Sequence, residues 1–228
     1  MIKHVFLDLD DTILDFHKAE RLALAKTLRS FGIEPTEECT ARYSEINQAC
    51  WKKLERGELT RPEVLLGRFE LFLKEFPADA RAEELKKCYE ANLSEGHYYM
   101  PGAEELLDTL YPLYDLYLAS NGAAHVQAGR IKSAGIAKYF KDMFVSEKIG
   151  ADKPSRAFFD AAFARIEDFC PECAVIIGDS LSSDIMGGIN AGIATVWYNP
   201  KGLPVPQNIT PTHVITSLAE LPELLASM

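Results

Sequence analysis

Val5-Phe6-Leu7-Asp8-Leu9-Asp10-Asp11-Thr12 decides how the rest of the chain is read. An apolar run rich in strand formers, His4 to Leu7, stops abruptly in acids and a hydroxyl. Four more runs share this form. Leu116-Tyr117-Leu118-Ala119 ends in Ser120-Asn121-Gly122, and Val175-Ile176-Ile177-Gly178 ends in Asp179. Met143-Phe144-Val145 is weaker, and Ala194-Thr195-Val196-Trp197 is the last. Continuous apolar runs bounded by turn residues suit strands buried on both faces, as in a parallel sheet. Helical patterns over 122–134, 155–166 and 183–191 separate the later runs. The alternation predicts an α/β fold with a doubly wound, mainly parallel Rossmann-like sheet. His213 to Thr216 adds an edge strand and Leu218 to Leu225 a closing helix.

Between Thr12 and Gly102 the alternation stops and only helical periods are found. Leu24, Leu28 and Phe31 share one face, as do Tyr43, Ile46, Cys50 and Leu54. Leu65, Phe69, Phe72 and Phe76 repeat the period, and Leu85, Tyr89 and Leu93 follow. Gly57 reads as a helix stop, and Thr60-Arg61-Pro62-Glu63 as the capping box that starts the next helix. A βαβ crossover needs one helix, so four imply an insertion. The predicted organisation is a discontinuous α/β core, 1–15 and 96–228, with an all-helical module at 16–95. Pro200 to Pro211 is read as an exposed loop, and Gly187, Gly188 and Gly192 as close helix packing followed by a helix stop.

The chain has 228 residues, 47% of them hydrophobic and 25% charged, which excludes a disordered chain or a coiled-coil rod. Its 34 acids against 24 Lys and Arg leave a net charge of −10. That balance argues against a nucleic-acid polymer or a basic membrane patch as partner. A bound cation would still let it hold a phosphorylated small molecule. The first apolar run is too short for a signal peptide, and the five cysteines are odd in number and sparse. Both features fit a cytoplasmic protein with reduced thiols. Cys170 and Cys173 form a CxxC, whose redox or zinc reading stands beside that of two structural thiols at a loop end.

Ligands of open α/β sheets bind at the carboxyl ends of the strands. Asp8, Ser120 and Asp179 end three of the runs, with Asp10, Lys153 and Asp184 close behind. Four crowded carboxylates repel one another unless a cation neutralises them. Oxygen ligands of this kind suit Mg²⁺, which also takes phosphate oxygens. One carboxylate can then act as nucleophile and a second as general acid and base. Spacing puts Asp8 at the strand tip and Asp10 in the turn. Taken singly, Asp8 and Asp10 read equally well as a polar strand end. Ser120-Asn121-Gly122 reads as a turn and cap, and Lys153 as a surface lysine. Asp179 and Asp184 read as helix N-terminal acids. Their joint placement favours the catalytic reading. His17 is expected to be an exposed helix residue, and Trp51 is read as core packing at least as readily as a base-stacking ring.

These motifs, Asp8-Leu9-Asp10-Asp11-Thr12, Ser120-Asn121, Lys153-Pro154 and Gly178-Asp179 with Asp184, resemble in order the four motifs of the haloacid dehalogenase-like (HAD) phosphohydrolases. The helical insertion resembles that family's C1-type cap. Many members have Gly in place of Asp11, which is assigned no catalytic role. The resemblance implies Asp8 as nucleophile and Mg²⁺ ligand, and Asp10 as general acid and base that also binds Mg²⁺ through its carbonyl. It implies Ser120, Asn121 and Lys153 as phosphoryl-binding, Asp179 as a direct metal ligand, and Asp184 as holding Lys153 or metal-bound water. An acid at Asp10 favours phosphoryl transfer over dehalogenation, because a halide leaving group needs no proton. Trp51 to Thr60 with Arg68-Phe69 resembles the pyrimidine 5′-nucleotidase branch, which implies a nucleoside monophosphate as substrate and cap closure during turnover. Two alternatives stand beside it: a sugar-phosphate phosphatase or phosphoglucomutase-like enzyme, and a non-catalytic phospholigand-binding or receiver-like protein. A monomer or small homo-oligomer is expected.

Overall fold

The sheet begins with β1 (His4–Leu7), whose four residues are all buried. The computed structural model describes residues 1–228. After β1 come α1 (Phe16–Ser30), α2 (Glu37–Glu55), α3 (Arg61–Glu75), α4 (Ala82–Ser94) and α5 (Ala103–Leu110). Then follow β2 (Asp115–Ser120), α6 (Ala124–Ala134), β3 (Asp142–Val145), α7 (Ser146–Ile149) and α8 (Arg156–Phe163). The chain ends with β4 (Ala174–Gly178), α9 (Met186–Ala191), β5 (Ala194–Tyr198), β6 (His213–Ile215) and α10 (Leu221–Ser227). No helix is long and apolar enough to cross a membrane.

The six strands form one sheet in the order β3-β2-β1-β4-β5-β6, and every pairing is parallel. The chain leaves β1 in both directions across the sheet, so β1 and its neighbours β2 and β4 flank the switch point. The register aligns Leu7 with Leu118 on one side and with Ile177 on the other. Asp8 therefore emerges level with the ends of β2 and β4. Side chains alternate between the sheet faces. Phe6, Tyr117, Phe144 and Ile176 share one face, packed against Phe158, Phe159 and Ala162 of α8. Two-sided burial accounts for the unbroken apolar runs.

Close packing explains two of the glycines in α9. A Cβ at Gly188 would stand 2.5 Å from Thr195 Cγ2 and 2.6 Å from Ile176 Cγ2, and one at Gly187 would stand 2.7 Å from Phe159. Thr195 and Ile176 are buried, β-branched strand residues that cannot swing aside. Gly188→Ala is therefore expected to destabilise. Overpacking of about 1–3 kcal/mol exceeds the helix-propensity gain of roughly 0.5–1 kcal/mol. A urea midpoint equal to or above that of the parent would show that the helix and sheet are not in this contact.

Contacts group the chain into two compact units. Met1–Asp15, Tyr98–Ala124 and Gly135–Met228 make the unit that holds the sheet. Phe16–His97 and His125–Ala134 make the helical unit. The body of α6 follows β2 in the chain yet groups with the helices. Arg130 Nε donates to Gly96 O (3.2 Å), Ser133 Oγ to Glu95 O (3.1 Å), and His125 Nε2 lies 3.3 Å from Glu90 Oε2. Strand-helix alternation carries no trace of these side-chain contacts.

Within the helical unit, α1 packs on α4, and α3 packs on both α2 and α4. The capping box at Thr60 and Glu63 forms, and Gly57 adopts φ +71° at the stop of α2. Tyr43, Phe69, Phe72 and Tyr89 make an aromatic core. Beside it lies a polar set that periodicity does not reveal. Glu20 accepts from Ser44 Oγ and Asn47 Nδ2 (both 2.6 Å), and Arg68 Nη1 donates to Asn47 Oδ1 (2.8 Å). Trp51 is half-buried with the Arg61 guanidinium over its ring, and His17 is exposed.

Candidate active site

The site is built on the turn after β1. Asp8 N–H donates to Ile177 O (3.0 Å), extending the pairing with β4 by one residue beyond β1. The chain then folds back. Ile13 and Leu14 N–H both donate to Leu9 O, and Asp11 N–H donates to Leu14 O. This tight turn puts Asp11 at φ +56°, in the left-handed region. Gly enters that region most readily, with Asp and Asn next. Asp at this position therefore suits the backbone geometry of the turn.

Lys153 ties the motifs together. Its ammonium donates to Asp8 Oδ1 (2.7 Å), Asp184 Oδ1 (2.6 Å) and Ala119 O (2.6 Å). An ammonium has three donors, and all three are used. Lys153 is only 1% exposed, which excludes a solvated surface lysine. Its backbone is clamped as well: Asn121 Nδ2 donates to Lys153 O (2.8 Å), and Lys153 N–H donates to Asn121 Oδ1 (2.9 Å).

Asp184 is fully buried, and its second oxygen accepts from Ser180 N–H (3.1 Å). This arrangement requires a glycine at 178, because a Cβ there would stand within 2.2 Å of Asp184 Oδ2. Asp179 is half-buried and anchored through its backbone. Its N–H donates to Thr12 Oγ1 (3.1 Å), and its carbonyl accepts from Trp197 Nε1 (2.8 Å). Ser120 is fully buried, and its Oγ accepts from Gly122 N–H (3.1 Å). Asp10 is half-buried in the turn and is joined by a bridge to Leu14.

Asp8, Ser120, Asn121, Lys153, Asp179 and Asp184 thus converge on the carboxyl edge of β1, β2 and β4, with Asp10 two residues from Asp8. Carboxylate oxygens of Asp8, Asp179 and Asp184 all lie within 4.8 Å of one another. Burial pushes the Asp8 carboxyl well above the usual range against the pull of Lys153, and Asp184 and Asp10 add to the rise. Burial also raises Asp179 well above its usual range, helped by Asp184 and Asp8. Burial opposes charge on Lys153, but Asp184 and Asp8 outweigh it, so its pKa is raised and it stays protonated. Two supporting residues were not legible in the sequence. Thr12 lies in the first motif, but its link to Asp179 spans distant parts of the chain. Gly178 ends its strand like any turn glycine, and only the position of Asp184 shows why it must be Gly.

Residues 2–192 match the model of the haloacid dehalogenase-like hydrolases. The HAD-hydrolase YfnB of Bacillus subtilis is 42% identical over 97% of this chain and 94% of its own. A crystal structure of YfnB bound to magnesium superposes with a TM-score of 0.93, covering 98% of both chains. The pyrimidine 5′-nucleotidase PynA of Streptococcus pneumoniae is 36% identical over 98% of this chain and 94% of its own. The pyrimidine 5′-nucleotidase YjjG of Escherichia coli is 29% identical over 97% and 96%. With the family match spanning most of the chain and the four motifs assembled at one sheet edge, this protein belongs to the haloacid dehalogenase-like hydrolases and is an enzyme.

Proposed function

We propose that this enzyme is a Mg²⁺-dependent phosphomonoesterase working through an aspartyl-phosphate, with pyrimidine nucleoside 5′-monophosphates as its substrates. The observation that carries the reading is the buried Lys153 ammonium, shared by Asp8 and Asp184 beside Asp179. It gives the site a fixed positive charge next to a carboxylate nucleophile. The nucleotide preference is supported by the kinship with PynA and YjjG and by the segment Trp51 to Thr60 with Arg68-Phe69.

Lys153 holds one oxygen of Asp8, and the other attacks phosphorus as the ester P–O bond breaks. Asp10 gives its proton to the departing alcohol oxygen, then takes one from the water that attacks the phosphoryl group. The bond from phosphorus to Asp8 breaks and inorganic phosphate leaves. Ser120 Oγ donates to the transferring oxygens, and the fixed positive charge on Lys153, its three donors already engaged, stabilises them through space. The Asn121 side chain acts as a positioning group, since both its amide atoms hold the Lys153 backbone. Asp184 is a positioning group too, with each oxygen engaged by Lys153 or by Ser180.

The donor set fits Mg²⁺, because it is all oxygen and the carboxylates of Asp8 and Asp179 come within 4.8 Å of each other. Asp8, Asp179 and the Asp10 carbonyl would hold the ion, as Asp184 is already engaged. When bound, it neutralises the carboxylates and draws charge from the phosphoryl oxygens.

A panel of nucleoside monophosphates and sugar phosphates, assayed for phosphate release, tests the substrate class. UMP, dUMP or dTMP should exceed hexose phosphates in kcat/KM by at least roughly tenfold, about 1.4 kcal/mol. Equal rates, or faster hexose phosphate turnover, would refute it. Metal binding is tested by melting. Asp8 and Asp179 have raised folded-state pKa values, so the native metal-free state binds more protons than the unfolded one. Their contribution to stability is therefore fullest below the unfolded value of about 4 and falls as pH rises toward the raised values. At pH 7.5, saturating Mg²⁺ should lift Tm by about 2–4 °C. Asp179→Asn should lose that rise; an equal rise in the variant would sink the ligand assignment.

A further inference from the structure

The two cysteines of the CxxC sit far along the chain from any catalytic motif except β4, which follows them directly. Cys170 opens a tight turn, Pro171 takes its first position, and Cys173 N–H donates to Cys170 O (3.0 Å). A turn closed by such a bond holds its first and fourth Cα atoms within about 7 Å, and a disulfide needs roughly 4.4–6.8 Å. The Sγ atoms are 2.7 Å apart. Two thiolates on a tetrahedral zinc, with Zn–S of about 2.3 Å, would stand roughly 3.8 Å apart, so the pair is too close for chelation as it stands. Both residues are half-buried, so a small reagent can reach them. Cys173 O also accepts from Lys3 N–H (2.8 Å), which fixes the turn to the base of β1.

We propose that Cys170 and Cys173 are a reversible two-electron dithiol/disulfide centre, a modification site oxidised by low-molecular-weight disulfides. One cysteine thiolate attacks a sulfur of the reagent, forming a mixed disulfide and expelling one thiolate. The second cysteine thiolate attacks the protein sulfur of that mixed disulfide, forming the Cys170–Cys173 bond and expelling the other thiolate. The two protons lost by the protein thiols go to the departing thiolates; the protein gives up two electrons and the reagent gains them. Hydrogen bonding with Cys173 and Glu172 pushes the Cys170 thiol up, so oxidation is expected to speed as pH rises. The buried Cys39 and Cys50, both raised chiefly by burial, serve as inert internal controls.

The test incubates the full chain with glutathione at increasing oxidised-to-reduced ratios, quenches with N-ethylmaleimide and maps the peptides by mass. The expected product is lighter by two hydrogens before alkylation, linked between Cys170 and Cys173, and reversed by dithiothreitol. Of the five cysteines, the other three remain alkylated. Cys170→Ser should instead carry a lasting glutathione adduct at Cys173. Five alkylated thiols after prolonged oxidised glutathione would overturn the proposal, as would stable adducts at both positions of the unaltered chain. Stoichiometric zinc that survives dialysis and is lost in Cys173→Ser would overturn it in favour of a metal site.

Discussion

Asp8→Asn is expected to lower kcat by about 10⁴-fold or more on every phosphomonoester, because an amide cannot form the acyl phosphate. The fold should survive. Lys153 keeps Asp184 and Ala119 O as acceptors, and the amide can still accept its third bond. One carboxylate also disappears from a cluster in which burial and like charges already oppose ionisation. Melting of the variant should therefore stay within a few degrees of the parent, at or above it without Mg²⁺. Single-turnover quench with a ³²P-labelled ester should give acid-stable labelled protein in the parent and none in Asp8→Asn. Retention of more than a few per cent of parental kcat would remove Asp8 from the role of nucleophile.

Lys153→Met should abolish turnover and also cost about 3–5 kcal/mol of stability, the usual penalty for breaking a buried ion pair from one side. Three acceptors, two of them carboxylates, lose their common donor at a position 1% exposed. The ammonium itself keeps its charge across the working pH range. The folded pKa of Lys153 is raised, so its contribution is complete below the unfolded lysine value of about 10.4 and is lost only as pH climbs through the raised value. Urea unfolding at pH 7.5 measures the loss. Adding Asp184→Asn to Lys153→Met should cost less than the sum of the single losses, because the two share one interaction. Strict additivity, or a Lys153→Met variant within about 1 kcal/mol of the parent, would show that the ammonium does not hold the cluster.

The sheet was readable because strands buried on both faces carry near-continuous apolar runs, as at the centres of β1, β2 and β4. The four inserted helices were readable because each has one apolar face. α5 does not stand out in the sequence, although its Ala103, Leu106, Leu107 and Leu110 are buried. It is only two turns long, too short for its period to stand out. The first turn of the helical pattern after Asp179 is a wider turn, Leu181–Ile185, that carries Asp184 inward. Residue periodicity does not distinguish that from an ordinary helix start.

The sequence by itself determined the α/β class, the inserted helices and the acids, hydroxyl and lysine that end the strands. Those features are local: each follows from runs, periods and turn residues within a dozen positions. Tertiary structure alone decided what the polar groups do to one another. Lys153 is a buried three-way donor, Asn121 clamps its backbone, Thr12 anchors Asp179, Gly178 makes room for Asp184, and α6 packs with the helical unit. Each links residues far apart in the chain. Hydrogen bonds and desolvation act through distance in space, which a linear pattern does not encode.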